Sequence, residues 1–247
     1  MAPTTVTSAP GSGRLAIMQP YLFPYLGYYQ LIAAVDKFVL YDDVAFINRS
    51  WINRNQILVN GKAQLFTVPL NHASQNRRIC EIELSAGEYP RWKKSFLRTV
   101  DAAYGRAPQF EPTRALLDGV LGCGATTIGE LARRSVEAVS TTLGLTARIE
   151  PTSMTYGNGQ LKAQERILDI CVRERATLYV NPQGGRELYA SEDFARRGMA
   201  LRFIRSRLPA YRQFRCQFIP ALSILDVLMF NPIETVRGMM TEYDLEP

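Results

Sequence analysis

Histidine is almost absent: the 247-residue chain has one, His72, in a polar stretch between expected strands. A Ser-His-Asp or Cys-His arrangement would have to use it, so acid–base chemistry is expected to fall to Asp, Tyr, Lys or Arg. The cysteines, Cys80, Cys123, Cys171 and Cys216, are far apart and form no CxxC pair. They read as reduced, buried thiols rather than a disulfide framework. With one histidine and no close cysteine pair, a zinc site is not expected, and no metal or cofactor motif is evident. No apolar run approaches the roughly 18 residues that span a bilayer. Met1 to Gly13 lacks the basic start and apolar core of a signal peptide. Its Thr, Ser, Ala, Pro and Gly residues read as a disordered leader, and a cytoplasmic location is expected.

What remains is ordinary for a folded globular protein. Hydrophobic residues make up 47% and charged residues 21%, enough for one sizeable core. The formal charge of +6 suits a nucleic-acid binder or an enzyme of anionic substrates. The densest basic stretch runs through Arg196, Arg197, Arg202, Arg205, Arg207, Arg212 and Arg215, broken by Met199 to Leu201 and Phe203-Ile204 as in a half-buried strand. Lys93 and Lys94 beside Trp92 read as a solvated helix face.

Periodicity predicts an α/β fold. Arg14 to Met18 reads as a strand, Tyr21 to Ala34 as a loop turning into a helix, and Lys37 to Tyr41 as a second strand. This βαβ unit implies a mostly parallel sheet with flanking helices. Asn60-Gly61, between Gln56–Val59 and Gln64–Val68, predicts a hairpin with a type I′ turn, and Cys80 to Leu84 a further strand. Helix-spaced apolar residues cover 89–104, 113–122 and 127–143, with Gly144 as a stop; they predict a helical insertion over about 89–144. Alternation resumes with a strand (147–149), a helix (160–173), a strand (177–180), a short helix (192–196) and a strand (200–204). Closing helices follow at 220–230 and 232–240. Residues 14–247 are read as a single domain.

Three polar clusters stand at predicted strand ends, where parallel sheets bind ligands. The first is Gln19-Pro20-Tyr21-Leu22-Phe23-Pro24-Tyr25-Leu26-Gly27-Tyr28-Tyr29-Gln30, in which Gly27 permits a close approach. The second is Asp42-Asp43 with Asn48, Arg49, Trp51, Asn53, Arg54 and Asn55. An Asp there suits a general base, a holder of a divalent metal or an amine-orienting group, and Arg54 a fork for carboxylate or phosphate. An internal ion pair that organises the loop fits Asp42-Asp43 equally. The third, Asn181-Pro182-Gln183-Gly184-Gly185-Arg186-Glu187-Leu188-Tyr189, offers a glycine-rich backbone cradle for an anion.

The segments QPYLFPYLGYYQLI, DKFVLYDDVAFINRSWINRNQI, ERILDIC, YVNPQGGRELY and YRQFRCQFIPALSILDVLMFN together resemble the WbqC-like proteins, from Arg14 almost to the C-terminus. The resemblance implies a biosynthetic setting, of the O-antigen or specialised-metabolite kind. It implies a transferase forming an amide between an amino-acid-derived acyl group and a small amine or amino sugar. Asp42 or Asp43 would then take the amine's proton, with Tyr25 and Tyr28 as oxyanion donors. Gln19, Tyr21, Gly27, Trp51, Asn53, Arg54, Asn181, Gly184, Gly185, Tyr189 and Gln213 would bind substrate. The substrate is expected to be anionic or amine-bearing, with an aminoacyl-tRNA or carrier protein as a possible donor and an oligomer as a possible state. A cyclase, lyase or hydrolase acting on one metabolite, and a non-catalytic ligand-binding partner, are the alternatives. The first βαβ unit also resembles the opening of the HUP nucleotidyltransferases, such as pantothenate synthetase. Their HxGH signature would fall on Tyr25-Leu26-Gly27-Tyr28, with tyrosine at both histidine positions.

Overall fold

A computed structural model describes residues 13–214 and 217–247. The proposed leader up to Ser12, and Arg215 and Cys216, lie outside the described residues. In chain order the elements are β1 (Arg14–Met18), α1 (Leu26–Ala33), β2 (Lys37–Leu40), β3 (Arg54–Val59), β4 (Lys62–Thr67), β5 (Leu70–Asn71), β6 (Glu83–Leu84), α2 (Tyr89–Tyr104), α3 (Phe110–Leu121) and α4 (Ile128–Leu143). They continue as β7 (Arg148–Glu150), α5 (Ala163–Arg173), β8 (Leu178–Pro182), α6 (Ser191–Ala195), β9 (Ala200–Ser206), α7 (Ile224–Phe230), α8 (Ile233–Met239) and β10 (Tyr243–Glu246).

The main sheet has the order β10-β9-β8-β1-β2-β7. All its pairs are parallel except β10 with β9. Counting its own strands alone, the order is 3-2-1-4-5-6, that of a doubly wound α/β sheet. The alternation of each strand explains why helices cover both faces. Leu15, Ile17, Val39, Tyr179, Leu201 and Phe203 pack against α5 and α6 through Ile167, Ile170 and Phe194. Ala16, Phe38, Leu40, Val180 and Ile204 face the larger core, which takes in α1 and the helices α2–α4, α7 and α8. Within that core α1 is buried on nearly every side. Its Gln30 donates through Nε2 to the carbonyls of Arg207, Met239 and Glu242 at 2.8–3.0 Å, tying the helix to the chain's last turns.

The β3–β4 hairpin closes through Asn60 (φ 50°) and Gly61 (φ 73°), the left-handed pair its turn requires. Gly144, at φ 66°, ends α4. Gly13, grouped with the leader by composition, instead starts the sheet: its carbonyl accepts the Thr177 N–H at 2.9 Å. Two expectations need correction. Cys80 to Leu84 is a 3-10 turn (Ile79–Glu81) running into the two-residue β6, because Arg78 and Glu81 bond to each other across that turn. The thiols are not uniformly buried: Cys171 is buried in the core, Cys80 half-buried, and Cys123 exposed in the turn after α3. No helix among the described residues is long and apolar enough to cross a membrane.

Candidate functional site in the cleft between β1 and β8

Chain direction reverses its spread across the sheet between β1 and β8. A crevice must open there beyond the carboxyl ends of the strands, because the helices that follow them go to opposite faces. A cleft of about 870 Å³ occupies that place. β1 contributes Met18 and Gln19, β2 Tyr41, β8 Asn181 to Gly185, and β9 Arg205 and Ser206; the first turn of α5 adds Ala163 and Gln164.

One wall is the loop from Tyr21 to Gly27. Phe23 is held at φ 44°, a left-handed conformation that costs a non-glycine residue energy. Its neighbours fix it there. Its N–H donates to Oγ of Ser135 on α4 (2.9 Å), and its carbonyl accepts from Nδ2 of Asn55 on β3 (2.7 Å) and Oγ of Ser223 (2.8 Å). The loop therefore presents Tyr21, Tyr25 and Tyr28 from a rigid frame. Tyr28 is buried and its hydroxyl donates to the Gln19 carbonyl at 2.8 Å. Gly27 has no room for a side chain: a Cβ would lie 2.5 Å from the Tyr25 ring and 2.7 Å from Oγ of Ser206.

The opposite wall follows β8. Asn181, nearly buried, donates through Nδ2 to the Pro182 carbonyl at 3.2 Å and accepts from the Tyr179 hydroxyl at 3.3 Å. A Cβ on Gly185 would fall 1.8 Å from that same Nδ2. Tyr189 stands edge-on to Tyr179. Gln164 closes the rim, its Oε1 accepting the Ala190 N–H at 2.6 Å and its amide reaching Asp193.

Burial raises the phenols of Tyr21, Tyr25, Tyr28, Tyr41 and Tyr189, although Ser206 and Arg166 oppose the shift at Tyr25 and Tyr41. These side chains are therefore protonated donors at neutral pH, not bases. Among the described residues lining the cleft the one charged side chain is Arg205, which lies 3.0 Å from Glu246. The arrangement can bind a polar, largely neutral molecule and donate hydrogen bonds to an oxygen that gains charge.

A profile of the WbqC-like protein family matches residues 19–238. The chain belongs to the WbqC-like protein family. A relative from Mycobacterium tuberculosis, "Uncharacterized protein Rv1507c", is 31% identical over 221 residues, covering 88% of this chain and 93% of the relative. No solved structure matches the chain. The WbqC-like match begins at Gln19 on the cleft's edge, takes in both walls, and stops short of β10.

The sequence-predicted residues divide between that cleft and its surroundings. Gln19, Tyr21, Tyr25, Gly27, Tyr28, Asn181, Gly184, Gly185 and Tyr189 all line it. The second cluster does not join them. Asp42 accepts from the Thr152 hydroxyl at 2.7 Å and the Ser153 N–H at 3.1 Å, and burial raises its pKa against those two bonds. Asp43 forms a buried ion pair with Arg166 at 2.5 Å and takes a hydrogen bond from Ser153. Arg166 is further bound to Asn158 and lies 4.9 Å from the Tyr41 ring. Asp43 thus stands behind Tyr41 and braces it through Arg166, while Asp42 holds the turn at Thr152 and Ser153.

Asn53 donates to the Val68 carbonyl at 3.0 Å, closing the open end of the hairpin. Arg54 lies over the exposed Trp51 and bonds to the Ser50 carbonyl. Gln213 is bound to Asp226 and Ile219 in a separate buried cluster. His72 is exposed at φ 49° in the turn after β5, outside the cleft. Sequence reasoning missed Tyr41, Gln164 and Ser206 as lining residues. Tyr41 directly follows β2 and Ser206 ends β9, so the strand-end rule could have found them; Gln164 carries no such signal.

Proposed function

We propose that the cleft is the active site of a biosynthetic transferase that joins an acyl group, derived from an amino acid, to a small amine or amino sugar. One observation carries this reading: a rigid wall of hydrogen-bond donors and a glycine-bearing backbone turn face each other across the sheet's switch point. An activated acyl group bound there meets the amine nitrogen. The new C–N bond forms as the bond to the leaving group breaks, and the amine's proton leaves with that group. No internal base is required for this balance, which suits a lining free of carboxylates. Tyr25 is the residue assigned to donate to the oxygen that gains charge, since it lines the cleft beside Gly27 and Ser206. Tyr28, already committed to Gln19, is a positioning residue, and so are Asp43 and Arg166 through Tyr41.

The test is turnover by the purified protein with the products of neighbouring biosynthetic genes, followed by mass spectrometry. Tyr25→Phe is expected to lower the rate about 100-fold, the scale of one lost oxyanion donor, with an unchanged circular dichroism spectrum. An unaltered rate would overturn the assignment. The scarcity of charged acid or base groups in the lining favours one second reading, a ligand-binding partner of a biosynthetic complex. In that case the pathway needs the protein, yet the protein alone turns nothing over.

A further inference from the structure

A second groove, of about 820 Å³, lies away from the cleft. Its rim is the hairpin turn Asn60-Gly61 and the end of α2, and it is lined by Leu58, Arg106, Arg212, Phe214 and Phe230. Arg106 and Arg212 are exposed, and neither pairs with a carboxylate among the described residues. Arg212 is placed by its Nε, which reaches the Phe214 carbonyl at 3.4 Å. Phe214 and Phe230 meet edge to face with centroids 4.7 Å apart.

The basic row leading to this groove was not legible as a surface from composition. Arg91, Lys94 and Arg98 share one face of α2 with Ala102, by their three- and four-residue spacing. The opposite face buries Phe96, Val100 and Tyr104. All three cations are exposed and lack carboxylate partners among the described residues. From Arg91 to Ala102 the row runs about 16 Å along the helix, then continues into the groove at Arg106.

Two carboxylates near this path are turned elsewhere. Asp101 is taken by Arg114 at 2.6 Å. Asp226, behind Leu58 and Phe230, is enclosed by the hydroxyls of Tyr104 and Tyr211 and by Gln213. By contrast, most of the arginine-dense stretch is neutralised. Arg196 pairs with Asp193, Arg197 with Glu165, Arg205 with Asp244 and Glu246, and Arg207 with Asp244.

We infer that the α2 row and the groove it enters form a docking surface for single-stranded RNA. A line of unneutralised cations tracks a phosphate backbone, and the half-buried Phe214 and Phe230 that line the groove offer apolar ring contact to unstacked bases. An acidic protein helix would use the row but not a concave, phenylalanine-lined end. This surface is separate from the cleft, and its failure would leave the transferase reading intact.

The test is fluorescence anisotropy of the full chain with a fluorescein-labelled, mixed-sequence single-stranded RNA of about 12 nucleotides. Binding is expected to weaken steeply with salt, as counterion release requires. Arg106→Glu and Arg212→Glu should each weaken it at least about 10-fold, Phe214→Ala should weaken it by a smaller factor, and Arg196→Glu should leave it unchanged. Absence of binding at low salt would overturn the proposal. Equal loss with Arg196→Glu, which indicates unspecific attraction, would do the same. So would binding of a labelled polyglutamate peptide with the same dependence on Arg106 and Arg212.

Discussion

A methyl group at position 185 would sit 1.8 Å from Nδ2 of Asn181, so Gly185→Ala must turn that amide away from Pro182. Gly185 is buried, but the atom displaced is the free end of the Asn181 side chain, which lines the cleft, so the expected effect falls on ligand binding more than on stability. A loss of about 10-fold in apparent affinity with a shift of under about 1 kcal/mol in the denaturation midpoint is the expected outcome. The opposite pattern is expected at Asp43. Its carboxylate and Arg166 are both buried and paired, and Asp43→Asn leaves an uncompensated guanidinium. The cost should be about 3–5 kcal/mol by urea denaturation. A variant of unchanged stability that had lost turnover would instead make Asp43 a base. The aspartate pair shows what a single sequence hides. Asp42 and Asp43 were legible as adjacent carboxylates after a strand, but Thr152, Ser153 and Arg166 stand more than a hundred positions away.

At the scale of elements, α7 is tied to α2, to β3 and to the segment after β9 by one buried carboxylate. Asp226 accepts from Tyr104 at 2.7 Å and Tyr211 at 2.6 Å, and the Tyr104 hydroxyl accepts the Leu58 N–H at 2.7 Å. Burial raises the Asp226 pKa, and the bonds from Tyr211, Tyr104 and Gln213 only partly oppose it. A carboxyl raised on folding binds more protons in the native state than in the unfolded one. Its contribution to stability is therefore greatest below the usual carboxylate range and declines as pH rises through the elevated value. In Asp226→Asn that decline is expected to vanish, which urea midpoints measured between about pH 4 and 7 would reveal. An identical slope in both proteins would contradict it. Gln213 belongs to this brace, and its place in the sequence motif marked a packing role as readily as a binding one. The hairpin and the αL stop of α4 were legible because Asn-Gly and Gly144 need a specific backbone. β10 was not, since Tyr-Asp-Leu-Glu lacks an apolar run and is a strand only through its pairing with β9.

For the whole molecule, the parallel sheet and its switch point decide where chemistry can happen. Strands that alternate between two apolar faces, with polar loops at their carboxyl ends, predict one pocket built from all three clusters. The second stands outside it, and the first and third meet there. What brought them to opposite walls of one cleft was strand order, which the local pattern does not encode, because β8 returns beside β1 after the long excursion through β3 to β7. The central claim is that ligand occupies this cleft. Hydrogen–deuterium exchange with the products of neighbouring biosynthetic genes present and absent tests it most directly. Protection is expected over residues 19–28 and 181–189, the two walls. Protection confined to residues outside both walls, with turnover observed, would contradict the account.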